Sequence, residues 1–179
     1  MATAPTLPLV SVEEYLRTDY EIPCEYVDGV LVEKHVGKRT HGLLQLLLAN
    51  LLVARQEQHG IRVYIEQHIK VGPNRFRIPD VLIMPSGHKR EEILTESPIC
   101  TFEIVSQAEG WTELTTKYKD HHAMGVPTIV IADPYERALF TVDTSGKLHE
   151  QSNPLVIAIP MPAGENLEID FDQLFAGLD

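Results

Sequence analysis

The sequence predicts an α/β domain with a mixed central sheet flanked by helices, extended by an N-terminal hairpin and by C-terminal strands. Two helical patterns and a set of strand-like runs carry this. A leucine-rich segment from about 40 to 59 and a second stretch from Trp111 to Met124 repeat apolar residues at helical spacing. Short apolar runs at about 62–70, 77–84, 99–105 and 128–133 surround that second helix, in the order helix, three strands, helix, strand. A chain of 179 residues buries one full core, so residues 1–179 are taken as a single domain.

Each element has a local cause. Ser11-Val12-Glu13-Glu14 is a capping box, and Val10 with Tyr15 can close a hydrophobic staple around it, so a short helix should run from about Val12 to Arg17. Asp28-Gly29 separates Glu25-Tyr26-Val27 from Val30-Leu31-Val32, and both positions of a two-residue hairpin turn must accept positive φ, which this pair does. Thr40 can cap the next helix, which ends at Gly60. Its leucines at 43, 44, 46, 47, 48, 51 and 52 cover more than one face, so the helix is central or shared with a partner subunit. After Thr128–Asp133, further strands are expected at Leu139–Thr144, Leu155–Ile159 and Leu167–Ile169, with turns at Gly146, Asn153-Pro154 and Pro160–Gly164. Phe171 to Phe175 closes as a helical turn.

Composition excludes several classes. A formal charge of −11 weighs against a broad electrostatic grip on nucleic acid. A nucleic-acid substrate would need a local basic rim, for which Lys34/Lys38/Arg39, Lys70/Arg75/Arg77 and Lys117/Lys119 are the available clusters; each is equally well explained as solvated surface. Cys24 and Cys100 lack zinc-ligand spacing and read as free thiols of a reducing compartment. No apolar run approaches a membrane span, and Met1 to Thr6 lack the start of a signal peptide, so a cytoplasmic protein without a membrane partner is expected.

Chemistry centres on three residues. Leu114, Lys117, Tyr118, His121 and Gly125 fall on one side of the 111–124 helix, so the Lys117 ammonium points inward, where an unpaired cation is costly. Asp80 and Glu103, each set in an apolar strand, are the carboxylates that could receive it. Magnesium typically takes one or two protein carboxylates, and Asp80 and Glu103 on neighbouring strands would supply that pair. Lys117 could then orient a water or stabilise the transition state. The competing reading is a structural ion pair, which perturbs charges in the same way.

Other side chains have simpler explanations. His41 at a helix start suits a cap-region or packing role. His121 and His122 point about 100° apart and cannot share a metal, so one packed and one solvated ring is expected. Trp111 could stack on a base, but at a helix start it suits packing on the sheet. Glu66 and His68, at alternating strand positions, could border the site or simply form a polar face.

The residues also resemble a known family. Glu25-Tyr26-Val27-Asp28-Gly29-Val30-Leu31-Val32, His41 opening the leucine-rich helix, Pro79-Asp80-Val81, Phe102-Glu103-Ile104-Val105-Ser106, Lys117 before Gly125-Val126, and Asp133-Pro134 occur in this order. Together they are similar to the large bacterial family of restriction-endonuclease-like proteins, numerous in cyanobacteria, within the PD-(D/E)XK nuclease superfamily. The resemblance covers nearly the whole chain. It implies a PD-(D/E)XK-like core, Asp80 and Glu103 as metal carboxylates, and Lys117 as the lysine supplied from the following helix, since Val105 holds the superfamily's usual lysine position. It also implies that Glu25 matches a family glutamate that could join the site, and that the protein pairs as a homodimer. Gln107 in place of Pro, Glu113 of Asp, His121 of Tyr, and Thr128 to Val130 without an aromatic depart from the pattern, which touches substrate and subgroup rather than the triad. The expected function is a Mg²⁺-dependent endonuclease acting on DNA, with Mn²⁺ as a possible substitute. The rival is a catalytically silent interaction or regulatory module that keeps the same shape.

Overall fold

Helix and strand signals are strongest where local chemistry and packing agree, and there the computed structural model, which describes residues 9–35 and 37–179, follows the sequence closely. The Met1–Thr6 stretch lies outside the described residues. Helix α1 (Val12–Arg17) is capped by the Ser11 hydroxyl, which accepts from the Glu14 amide at 3.1 Å, and Val10 packs into the same cluster as Tyr15. Strands β1 (Cys24–Val27) and β2 (Val30–Glu33) are joined by Asp28 and Gly29 at φ of 50° and 94°.

The leucine-rich segment departs from expectation at both ends. Helix α2 (Arg39–Val53) begins at Lys38, which makes no side-chain cap, and Thr40 lies inside the first turn rather than capping it. The helix breaks at Ala54-Arg55, and only α3 (Gln56–His59) continues to the left-handed Gly60. Tertiary bonds cause the break: Arg55 donates to the Glu168 carbonyl at 2.6 Å, and the Gln56 side chain accepts from the Val63 amide at 2.9 Å.

The strand runs at 62–70 and 77–84 each divide in two. Strand β3 (Ile61–Ile65) ends at Glu66, whose φ of 51° turns the chain away from one sheet, and β4 (Ile69–Gly72) enters another. Strands β5 (Arg75–Arg77) and β6 (Val81–Pro85) divide in the same way around Ile78-Pro79-Asp80. After β7 (Cys100–Ile104), α4 (Trp111–Met124) crosses to β8 (Thr128–Asp133), as expected. The chain then forms β9 (Ala138–Val142), an unforeseen β10 (Leu148–Glu150), β11 (Val156–Pro160), β12 (Asn166–Asp170) and α5 (Phe171–Ala176).

The central sheet has the order β10-β9-β8-β7-β6-β3 and is mixed: β7 and β8 are parallel and the other pairs antiparallel. A parallel pair needs a crossover, and α4 supplies it. The hairpin belongs to a second sheet, β2-β1-β5-β4, and β11-β12 form a third. On one face of the central sheet α2 buries Leu44, Leu48 and Leu52 with Phe102, Val130 and α5; on the other, α4 buries Leu114 and Tyr118 against Ile129 and Ile131. Leu43, Leu47 and Leu51 are partly buried against the first core, which leaves Leu46 and Val53, 64% and 49% exposed, on the outer face of α2.

Candidate active site

Antiparallel pairing of β6 with β7 aligns Val81 with Phe102, and the next residues beyond that pair are Asp80, in the bend that leads into β6, and Glu103, within β7. Asp80 also turns its Oδ2 onto the backbone N–H of Ile104 at 2.7 Å, so the two acids are tied together through the chain that follows Glu103. Both are buried.

Asp80 is held by two cationic or polar partners. The Lys34 ammonium, just after β2, lies 2.8 Å from Oδ1, and His41 Nε2, in the first turn of α2, lies 3.3 Å from Oδ2. Lys34 donates also to the Ile78 carbonyl at 2.5 Å and meets Glu66 at 3.2 Å. Burial alone would push the Asp80 carboxyl up, but Lys34 and His41 outweigh it and hold it well below the usual carboxylate range. Lys34 is correspondingly raised: burial opposes its charge, and Asp80, Glu103 and Glu66 more than restore it.

Glu103 is served from α4. His121 Nε2 donates to its Oε1 at 2.8 Å, and the Lys117 ammonium stands 3.9 Å from Oε2. Lys117 is inward, as its helical spacing predicts, and makes its shortest contact to Glu109, 2.6 Å away in the loop before the helix. Burial works against the Lys117 charge, while Glu103, Glu25 and Glu109 raise its pKa well above the ordinary lysine value. Burial shifts the Glu109 carboxyl upward, and Lys117 offsets only part of this.

Glu25 stands behind these groups. Its Oε1 accepts from the Ile78 amide at 3.0 Å and its Oε2 from Arg77 at 2.6 Å, so both oxygens brace the segment that leads into Asp80. Arg77 reaches on to Asp120 of α4 at 2.7 Å through Nε. Despite burial, Lys117 and Arg77 hold the Glu25 carboxyl below its ordinary value.

Several expectations change here. Lys34 and Arg77, expected on a basic rim, are buried ion-pair partners. His41 is part of the Asp80 cluster rather than a packing residue alone. Glu66 and His68 do not share a strand face, because the chain turns between β3 and β4, although Glu66 does border the site through Lys34. His121 is the packed ring and His122 the more solvated one, bonded to the Thr144 carbonyl. Trp111 packs edge-on against Phe140 of β9, with ring centroids 5.2 Å apart. Lys34 and Glu109 carried no periodic signal that marked them for this site.

The donor set suits a divalent cation. Among the described residues no three His, Cys, Asp or Glu side chains form a closed metal cage, but magnesium requires only one or two protein carboxylates. Each acid already has partners: Lys34 and His41 on Asp80, His121 and Lys117 on Glu103, Arg77 on Glu25, and Arg77 with Arg75 on Asp120.

Comparison with known proteins agrees with this architecture. No curated protein matches the chain significantly. A crystal structure described as a putative nuclease belonging to DUF820, from Anabaena variabilis, superposes with a TM-score of 0.81 at 19% identity, covering 95% of this chain and 99% of that one. At that identity the likeness concerns the fold. A chain of the DrdV–DNA complex gives a TM-score of only 0.45 at 16% identity, covering 79% of this chain and 11% of that one, too weak to inform the site. The model of the Uma2 family, whose description is "Putative restriction endonuclease", matches residues 12–171. Spanning nearly all of the fold described above, that match places the chain in the Uma2 family.

Proposed function

We propose that the protein is a metal-dependent endonuclease that hydrolyses phosphodiester bonds of DNA, with Asp80 and Glu103 holding Mg²⁺ or Mn²⁺ and Lys117 acting beside them. The observation that supports this most is the bond from the Ile104 amide to Asp80 Oδ2, which sets Asp80 against the chain next to Glu103, with Lys117 reaching Glu103 from α4. A bound divalent ion would make a water more acidic and neutralise charge on a phosphate. The chain's own residues do the remaining work. His121 fixes the rotamer of Glu103, Lys34 and His41 fix that of Asp80, and Glu25 with Arg77 braces the strand entry behind it. The Lys117 ammonium, kept charged by surrounding carboxylates, orients the attacking water or stabilises the phosphate's developing charge.

The buried free thiols Cys24 and Cys100 suit a cytoplasmic setting, and the exposed apolar residues of α2 suit a homodimer. Among the described residues no helix is long and apolar enough to cross a membrane.

Purified protein should cleave members of a duplex, single-stranded and branched DNA panel when Mg²⁺ or Mn²⁺ is added, and Asp80→Ala, Glu103→Ala or Lys117→Ala should each abolish turnover in folded protein. Metal-independent cleavage, or full activity in the two acid variants, overturns the mechanism. One observation favours a catalytically silent module instead: Lys34, His41 and the Ile104 amide already engage both Asp80 oxygens. Folded protein that shows no turnover on any substrate with either metal would select that reading.

A further inference from the structure

Two clefts adjoin near Lys34 and His41, the partners of Asp80. One, of about 340 Å³, is lined by Lys34, His35, His41, Gln45 and Glu66, with Asp80 buried behind Lys34 and His41. The other, of about 290 Å³, is lined by Tyr15, Thr18, Asp19, Tyr20, Cys24 and Ile93. Pro23 and His68 line both, so the clefts share a wall.

The second cleft is built around an aromatic ladder. Tyr26 and Tyr15 stack with centroids 5.0 Å apart, and Tyr15 and Tyr20 with centroids 5.9 Å apart, both at 28° between planes. Hydroxyl bonds from Tyr15 to the Cys24 carbonyl and from Tyr26 to the Val10 carbonyl fix the inner two rings. Those rings are buried, whereas Tyr20 is half-buried, so the ladder ends on a partly open ring. His68 tilts against Tyr15 at 6.4 Å, and burial keeps its imidazole pKa low, so it presents a neutral ring.

We infer that this second cleft holds one unpaired nucleobase of a single-stranded nucleic-acid segment, stacked on Tyr20, while the adjoining phosphate lies in the first cleft. The inference rests on the nuclease reading above and names its substrate class. The linings of the two clefts differ. The first pairs Lys34 and His41 with Asp80 and Glu66, whereas the second carries the Asp19 carboxylate with no cation among its described lining residues, so it disfavours a phosphate and can accept from a base's exocyclic amine. Every base has a π-face, so stacking on Tyr20 confers little sequence preference. In an intact duplex the bases are paired and stacked among themselves, so this contact selects single-stranded or locally opened segments.

The test is binding to Asp80→Asn protein, measured by fluorescence anisotropy with a short oligothymidylate and with a fully abasic strand of equal length. Oligothymidylate should bind more tightly. Tyr20→Ala, added to that background, should weaken oligothymidylate binding by at least about fivefold and leave the abasic strand unchanged. Tyr20→Phe should keep the preference. Tyr20→Leu, which keeps apolar bulk without a π-face, should lose it, and decides the matter if the alanine variant does not fold. Equal affinity for the two strands, or equal loss for both in the leucine variant, overturns the base site while leaving the nuclease reading intact. Failure of Asp80→Asn protein to bind any strand, single or duplex, overturns the nuclease reading and the base site with it.

Discussion

Lys34 and Asp80 form a buried ion pair, 2.8 Å from Nζ to Oδ1, across 46 residues of sequence. It joins the end of the hairpin sheet to the entry of β6, and it makes the proposed catalytic acid depend on a lysine from another sheet. Breaking one side of such a pair strands the other charge away from water. Lys34→Ala should therefore cost about 3–5 kcal/mol in urea unfolding. Asp80→Asn should cost less, because Lys34 keeps the Ile78 carbonyl and Glu66. Equal losses in the two variants would show that the pair is not what holds this corner.

The depressed Asp80 carboxyl gives the site a pH signature. Its folded pKa lies below the unfolded value of about 3.9, so its contribution is fully present above that pH and is lost as the pH falls through the folded pKa. The stability gap between wild type and Asp80→Asn should be constant above about pH 5 and shrink below about pH 4. Urea midpoints across pH 3–7 check this, and a gap independent of pH contradicts it.

With Asp80 and Glu103 as the proposed metal carboxylates, a divalent ion that binds the folded protein and not the unfolded chain should stabilise the native state. At a hundredfold excess over its dissociation constant the gain is about 2.7 kcal/mol. Asp80→Asn and Glu103→Gln should each lose most of the increase in melting temperature. The metal-free Glu103→Gln protein should stay near wild-type stability, since His121 retains an oxygen partner. Equal shifts in wild type and both variants would place the bound metal elsewhere.

Leu46 and Val53 lie on the solvent side of α2, one heptad apart, so they fall on nearly the same face. Light scattering at micromolar concentration should give a dimer mass, and Leu46→Lys with Val53→Lys should give a monomer whose urea midpoint changes little. A monomeric wild type would mean that this face is simply tolerated in water.

The sequence marked the groups whose signals are local. The Ser11 cap, the Asp28-Gly29 turn, the inward Lys117 and Glu103 within its apolar strand all announce themselves within a few residues, whereas Asp80, expected in a strand, lies in the bend before β6. What it hid depends on distant partners. Nothing near Glu66 resembles a Gly or Pro break, yet the chain turns there, where its amide meets the Asp80 carbonyl. Lys34 and Arg77 looked like surface cations because their carboxylates, Asp80 and Glu25, lie 46 and 52 residues away. Thr40 offered a conventional cap, but α2 starts earlier and carries His41 onto Asp80. Periodicity reports which face a residue occupies, not which charge awaits it there.

The Glu25–Arg77–Asp120 junction fastens β1, β5 and α4 to one another through a buried guanidinium. None of these elements can peel away without leaving a charge unpaired out of reach of solvent. Amide protons of the hairpin and of α4 should consequently exchange with a common opening free energy, as one cooperative unit. Lys117 of the proposed site rides on that unit, and Asp80 and Glu103 border it, so the three should keep their mutual positions until the whole unit opens.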